Sequence, residues 1–280
     1  MADLVLHEST SRALAGQRVH PHHAILLVGP KGAGKTVVAT VMAAEWLETR
    51  KPLTQHPYAH HIKAEKSSSI PIEAVRALEG FLAHKVPGQG KRVVLIENAH
   101  LLTTEAQNAL LKTLEEPPAN TQLILTALSE RSLLPTVVSR THVVPITRPP
   151  QTAIQNHFKQ QGHGAEAIKQ AQLLSGGLPG LMHALLNEEA HPLTEAVQTA
   201  RMLLQKTTFE RLALVDSLAK DRQQCLDVLS VLQHMSSVAL QTGKATATWQ
   251  RILQASYQAS EQLAGNAQPK LVLTNLMLVL

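Results

Sequence analysis

Aromatic residues and cysteine are scarce in this sequence of 280 residues, which has three Phe, two Trp, two Tyr and a single cysteine, Cys225. So few rings argue against recognition of single-stranded nucleic acid by base stacking, because such recognition uses aromatic side chains as platforms. One cysteine excludes an internal disulfide and any zinc site built from cysteines. The core must therefore be built mainly from Leu, Val, Ala and Ile, which favours helices.

Long hydrophobic runs and blocks of like charge are absent as well. The first ten residues carry acids and do not resemble a secretory signal. The apolar run Leu271–Leu280 is too short to span a bilayer and predicts a buried helix. The formal charge of +5 is scattered along the chain, so it favours a nucleic-acid partner only slightly. These features predict a cytoplasmic protein.

The pattern of apolar residues divides the chain into three parts. Through residue 148, strand patterns alternate with helical ones, which predicts a parallel sheet with helices on both faces. Residues 49 to 69 show no regular pattern and are expected to be irregular. Helical patterns alone follow, and we divide them into a small helical domain, residues 149–189, and a helical C-terminal domain, residues 190–280.

A phosphate-binding loop is the strongest local motif. GPKGAGKT, residues Gly29 to Thr36, fits the pattern G-x-x-x-x-G-K-[ST], follows an apolar strand and precedes a helical pattern. Its glycines, Gly29, Gly32 and Gly34, let main-chain N–H groups surround a phosphate. Lys35 is expected to reach the β- and γ-phosphates, and the Thr36 hydroxyl is expected to bind Mg²⁺. The alternative is a glycine-rich turn that no longer binds nucleotide.

The acidic pair that ATP hydrolysis requires is incomplete. The predicted strand Val93–Ile96 is followed by Glu97 and Asn98. Glu97 can reach a magnesium ion, but Asn98 cannot accept a proton and so cannot act as the general base. His100, two residues after Asn98, could replace it as the base only if the strand continues, because it would then lie on the same face as Asn98. We expect nucleotide binding without efficient hydrolysis, since losing such a base costs about 10²- to 10⁴-fold in rate.

Several longer segments resemble the bacterial DNA polymerase III clamp-loader subunits of the AAA+ superfamily. The helical segment AQNALLKTLEEPP, Ala106 to Pro118, matches the most recognisable motif of that family in full. Similar segments occur in the family's order, including SRT at residues 139–141, GGLPG at 176–180 and the C-terminal NAQPKLVLTNLMLVL. The resemblance implies an α/β P-loop AAA+ domain at residues 1–148, a helical lid domain at 149–189 and an all-α collar domain at 190–280.

The same resemblance implies roles for further residues and partners. Thr126 would be a sensor near the γ-phosphate, and Arg140 an arginine finger offered to the nucleotide of a neighbouring subunit. The cofactor would be ATP or ADP with Mg²⁺, held through Thr36 and Glu97. The partners would be the gamma/tau and delta subunits in a pentameric ring, the sliding clamp and primed DNA, with no membrane.

Departures from the family pattern favour one subunit type. Asn98 breaks the acidic pair of the motor subunits, and Pro179 stands near the place of their second-domain arginine, while Arg140 is kept. This combination resembles the delta-prime type. A hydrolysing gamma/tau-type ATPase, a structural ring subunit with an empty phosphate loop, and another AAA+ DNA protein such as a helicase loader remain alternatives.

Zinc is not expected. The four-cysteine module that many relatives carry after the phosphate-loop helix is missing from this sequence. Two groups of histidines also allow a metal site in principle, but zinc sites usually have four well-spaced ligands, so we interpret these as loop histidines. The two groups are His20, His22 and His23, and His56, His60 and His61.

Overall fold

The computed structural model describes residues 4–64, 69–84, 86–87, 90–241, 243 and 246–280. These residues form two compact units, which meet in the sequence between Arg148 and Pro149. The first unit alternates strands and helices, whereas the described part of the second contains helices and no strand. Along the described residues, no helix has both the length and the hydropathy needed to cross a membrane.

A five-stranded parallel sheet forms the centre of the first unit. Its strand order is β2-β3-β4-β1-β5, and the paired neighbours are all parallel. This confirms the predicted parallel sheet. β1, β3 and β4 are buried along their whole length, which explains their continuous apolar runs. The strands are β1 (Ala24–Val28), β2 (Ala59–Ile62), β3 (Arg92–Ile96), β4 (Thr121–Ala127) and β5 (His142–Pro145).

Strand β2 corrects the expectation that residues 49 to 69 are irregular. It has only four residues, two of them histidines, so it lacks the apolar run that predicts a buried strand. Parallel pairing with β3 defines it instead, with His61 beside Leu95 and Ile62 beside Ile96. The conformation of β2 is therefore determined by its pairing with β3 and not by its own composition.

Helices cover both faces of this sheet, as predicted. On one face, α3 and α4 pack with the strand side chains in a single apolar core that includes Leu78, Leu110 and Ile96. The alternate strand residues, such as Leu27, are equally buried and point to the other face, where α2 contacts β1, β3 and β4. The helices are α1 (Glu8–Val19), α2 (Lys35–Trp46), α3 (Ile72–Ala83), α4 (Thr104–Glu115) and α5 (Pro135–Val138).

Short-range chemistry defines both ends of helix α4. The side chain of Thr103 accepts a hydrogen bond from the Ala106 main-chain N–H at 3.2 Å, which satisfies one of the free donors of the first turn. The helix ends at Glu115, shortly before the two prolines that cannot continue it. Its position brings Glu115 to the surface next to α5.

The second unit consists of eight helices in its described residues. α11 packs against α7, α9 and α12, and α13 packs against α10 and α12. The helices are α6 (Gln151–Gln160), α7 (Ala165–Ser175), α8 (Pro179–Leu186), α9 (Thr194–Gln205), α10 (Thr208–Leu218), α11 (Arg222–Gln241), α12 (Thr246–Ala264) and α13 (Pro269–Val279). The division into lid and collar at residue 189 stays a prediction.

Helix α13 is only partly buried, which corrects the expectation of a buried C-terminal helix. Leu273 and Leu276 are almost fully buried, but Leu271 and Leu278 are 62% and 60% exposed. These two leucines lie seven residues apart and thus on one side of the helix. Helix α13 therefore has apolar residues on two faces. The face with Leu273 and Leu276 packs within the second unit, and the face with Leu271 and Leu278 does not.

Gly176 allows α7 to approach α11 closely. It ends α7 with a left-handed backbone, φ +63°. A Cβ at this position would lie 2.3 Å from the Cβ of His234, far inside van der Waals contact. Glycine is therefore required both by the conformation and by the space.

Candidate functional site

The loop Gly29–Thr36, here called the phosphate loop, connects β1 to α2. Gly34 has φ +86° and is the N-cap residue of α2, so no side chain caps the first turn. The first N–H groups of a helix have no acceptor within the helix and carry a partial positive charge. The start of α2 thus presents main-chain donors that suit an anion such as a phosphate.

Two other glycines of the loop have separate structural reasons. Gly32 has a positive φ of 88°, which side chains rarely adopt. At Gly29 the constraint is space, because a Cβ would lie 3.0 Å from the carbonyl oxygen of Ile146. The loop therefore packs closely against the residue that follows β5.

Lys35 is folded over its own loop. Its Nζ donates hydrogen bonds to the carbonyl oxygens of Gly29 at 2.8 Å and Pro30 at 2.9 Å, and the residue is 6% exposed. Burial lowers the pKa of Lys35 to about 8, with Glu97 opposing the shift and Lys31 adding to it. To reach a phosphate, the ammonium group must exchange these carbonyl oxygens for phosphate oxygens.

Glu97 lies directly beside Thr36, as the predicted magnesium ligands require. The Thr36 hydroxyl donates to Oε1 of Glu97 at 2.9 Å, and His61 Nε2 lies 3.2 Å from Oε2. The hydrogen bond from His61, helped by that from Thr36, lowers the pKa of Glu97 despite partial burial. The carboxylate is therefore ionised, and the Thr36 oxygen keeps lone pairs for a metal ion.

His61 was not predicted as a site residue. Its place follows from the register of β2 on β3, which the sequence of β2 does not reveal. The sequence offers one signal for it, a polar residue near the end of a short strand.

The chain turns sharply after Glu97. Asn98 has a left-handed backbone with φ +54°, and its N–H donates to the Thr126 hydroxyl at 2.9 Å. Thr126 is fully buried at the end of β4, so its hydroxyl already has a partner within the protein. Its sensor role stays a prediction.

His100 does not lie on a continued strand. β3 ends at Ile96, and His100 belongs to the 3₁₀ turn Ala99–Leu101, so the condition for its use as a base is not met. Burial lowers the pKa of His100, and repulsion from Lys35 and Lys31 lowers it further, so the ring stays neutral. Its Nδ1 is buried without a hydrogen-bond partner among the described residues.

Arg140 lies just after α5, and its hydrogen-bond partners among the described residues do not belong to the phosphate loop. Its Nε and Nη2 donate to Oε1 of Glu115 at 2.7 Å and 2.5 Å, and Nη1 donates to the carbonyl oxygen of Thr136 at 3.0 Å. The side chains of Arg140 and Glu115 are 35% and 50% exposed. No hydrogen bond between Arg140 and a described residue reaches the phosphate loop.

The residues present fit a magnesium–nucleotide complex. Main-chain donors at the start of α2 suit phosphate oxygens, and the Thr36–Glu97 pair supplies the hard oxygen ligands that Mg²⁺ prefers. The unpaired buried Nδ1 of His100 is a further polar atom close to the two lysines of the loop. What the site lacks is a base in the position of Asn98.

A parallel sheet with a phosphate loop between β1 and α2, and a carboxylate after β3, defines a P-loop domain. A family model described as "DNA polymerase III, delta subunit" matches residues 7–150, just over half of the chain. The chain belongs to this family.

Curated relatives agree with this assignment. The chain is 32% identical to DNA polymerase III subunit delta' of Pseudomonas aeruginosa over 197 residues, which cover 64% of this chain and 60% of the relative. It is 36% identical to subunit delta' of Escherichia coli over 132 residues, 46% of this chain and 40% of the relative. The matches thus span 60% or less of these relatives' length. The delta-prime resemblance inferred from the motifs is confirmed.

Structural and more distant relatives support the same fold. The chain matches a DNA polymerase III gamma subunit-related protein of Thermotoga maritima with a TM-score of 0.60 and 17% identity, covering 97% of this chain and 98% of the other. It is also 29% identical to subunit tau of Salmonella typhimurium, over 66% of this chain and 32% of the relative. The predicted parallel α/β fold, followed by a helical region, is confirmed.

Proposed function

We propose that the chain is a delta-prime-like subunit of a DNA polymerase III clamp loader, which binds ATP without hydrolysing it efficiently and donates Arg140 to a neighbouring subunit. One observation carries the proposal. The site keeps its phosphate and metal ligands, with Thr36 bonded to Glu97, but has Asn98 where the general base belongs.

Nucleotide binding rests on the phosphate loop. Lys35 and the main-chain N–H groups at Gly34 would hold the phosphates, and Thr36 with Glu97 would hold the magnesium ion. When bound, that ion would offset the negative charge of the phosphates. Asn98 cannot take a proton from water, so we expect turnover slower by about 10²- to 10⁴-fold than in a subunit with the complete acidic pair.

A role in trans for Arg140 is supported by its position. The guanidinium is partly exposed, and its hydrogen bonds go to α4 and α5 and not to its own phosphate loop. Glu115 accepts from two of its five N–H groups, and the Thr136 carbonyl oxygen and the Ser139 hydroxyl accept from Nη1. The second N–H of Nη2 is left for a phosphate oxygen. In related phosphoryl-transfer enzymes an arginine finger contributes about 10³- to 10⁵-fold.

The names of the relatives support the proposed partners, since the chain is similar to subunits called delta' and tau of DNA polymerase III. We propose a cytoplasmic complex of this chain with gamma/tau and delta subunits. We propose a pentameric ring that loads the sliding clamp onto primed DNA, closed by a collar formed from residues 190–280.

A structural subunit with an empty phosphate loop is the second candidate. It is favoured by Lys35, whose ammonium group is already bonded to the carbonyl oxygens of Gly29 and Pro30. If these bonds persist, the lysine is not free to bind phosphate, and the chain acts only through assembly and Arg140.

Reconstitution tests the proposal. The chain would be mixed with the gamma/tau and delta subunits of the same bacterium, and complex formation and clamp loading onto primed DNA would be measured with and without it. We expect one stoichiometric complex that loads clamps only when the chain is present. Failure to join the complex would reject the proposal. ATP binding to the isolated chain by calorimetry separates the two candidates.

A further inference from the structure

His61 reaches the candidate metal site from the edge strand β2. Its Nε2 lies 3.2 Å from Oε2 of Glu97, and the two side chains are 21% and 23% exposed. The register sets this contact, because His61 pairs with Leu95 and the Glu97 N–H donates to the Ile62 carbonyl oxygen at 2.8 Å. Residues level on adjacent strands face the same side of the sheet, so His61 shares a face with Leu95 and Glu97.

The neighbouring histidine has a different environment. His60 faces the opposite side of the sheet, and the centre of its ring lies 5.1 Å from that of Phe81. Of these two adjacent histidines, His61 contacts Glu97 and His60 does not. His60 is therefore a matched control.

Both carboxylate oxygens of Glu97 are held by side chains. Thr36 donates to Oε1, and His61 is bonded to Oε2, so the carboxylate is fixed from two sides. Glutamate has one more rotatable bond than aspartate and loses more conformational freedom when it binds an ion. A second anchor offsets that cost, in the way that outer hydrogen bonds orient metal-binding carboxylates in general.

We infer that His61 is a positioning residue, which holds Glu97 in the orientation needed for the magnesium ion of a bound nucleotide. The inference rests on the proposed nucleotide site and adds to it a residue outside the phosphate loop and the strand β3. His61 itself binds neither phosphate nor metal in this arrangement. It acts through the carboxylate of Glu97, by donating the Nε2–H hydrogen bond.

Calorimetric ATP binding to the full chain tests this role, with each variant measured once in Mg²⁺ and once in EDTA. His61→Phe removes the donor, His61→Gln keeps an N–H donor, and His60→Phe is the control. We expect His61→Phe to weaken binding in Mg²⁺ by about 10-fold or more, the usual effect of losing an outer-shell partner. Binding in EDTA should stay the same, because no metal is then present to be positioned.

The other variants sharpen the result. His61→Gln should retain most of the magnesium effect, and His60→Phe should retain all of it. If His61→Phe impairs folding, measured by thermal melting, His61→Gln and His61→Leu provide the same comparison. An unchanged magnesium effect, or an equal loss in Mg²⁺ and EDTA, would overturn the inference. No ATP binding by the unmodified chain would instead reject the proposed nucleotide site, and the inference with it.

Discussion

Glu115 holds the proposed arginine finger, and its replacement by glutamine gives a quantitative prediction. The Glu115 and Arg140 side chains are 50% and 35% exposed, so their ion pair is a surface pair despite its two short bonds. Such pairs contribute about 0.2–1 kcal/mol. At about 1.4 kcal/mol for each factor of ten, the pair changes the orientation equilibrium of Arg140 by about fivefold at most.

We therefore expect Glu115→Gln to change ATP turnover of a reconstituted clamp loader by about fivefold or less. Arg140→Ala should lower it by about 10³-fold or more at each site that depends on this finger. In the double variant, Glu115→Gln should have no further effect, because Glu115 acts only through Arg140. Steady-state turnover with clamp and primed DNA measures all three.

Glu116→Gln is the matched control, since the structure gives Glu116 no side-chain hydrogen bond to the residues it describes. Thermal melting should show that none of these variants loses more than about 1 kcal/mol of unfolding free energy. The reasoning is wrong if Glu115→Gln lowers turnover as strongly as Arg140→Ala, or if the two effects add in the double variant.

Three further predictions concern stability and reactivity. Burial, and then repulsion from His22, whose ring stacks on that of His142, lower the pKa of His142 below 6.5. The unfolded chain therefore binds a proton at His142 more readily than the folded chain, so stability should be intact above pH 6.5 and fall on acidification. His142→Phe should flatten that fall in thermal melts from about pH 7.5 to about pH 5. Gly176→Ala should lower the free energy of unfolding in urea by about 2–4 kcal/mol, because the backbone is left-handed and the new Cβ overlaps His234. The control Gly164→Ala, whose Cβ meets no atom within 4 Å, should lower it by about 0.5 kcal/mol. Equal losses would contradict this prediction. Cys225 is 1% exposed and burial raises its pKa, so a thiol reagent should modify it only as the chain unfolds, and rapid reaction in native buffer would be inconsistent with the packing.

The elements that sequence reasoning predicted well are those specified locally. The phosphate loop from Gly29 to Thr36 has a fixed spacing, and β1, β3 and β4 are buried on both faces and so appear as apolar runs. Thr103 and the prolines after Glu116 mark the two ends of α4 through short-range chemistry. Each of these signals lies within a few residues of the feature that it predicts.

The features that sequence reasoning missed depend on residues distant in the chain. β2 is a strand because it pairs with β3, more than thirty residues further on, and its own composition is unremarkable. For the same reason, neither the contact of His61 with Glu97 nor that of Arg140 with Glu115 is visible in the sequence. The outward side of α13 was missed for another reason, since an apolar run does not tell which of its residues the unit buries.

The most direct test of the proposed function is ATP turnover by the reconstituted clamp loader with clamp and primed DNA, in which Arg140→Ala is compared with Lys35→Ala. The proposal predicts that Arg140→Ala abolishes most of the turnover, because the arginine serves a neighbouring site, while Lys35→Ala changes it little. Collapse of turnover in Lys35→Ala with normal turnover in Arg140→Ala would contradict the proposal and make this chain a motor subunit despite Asn98.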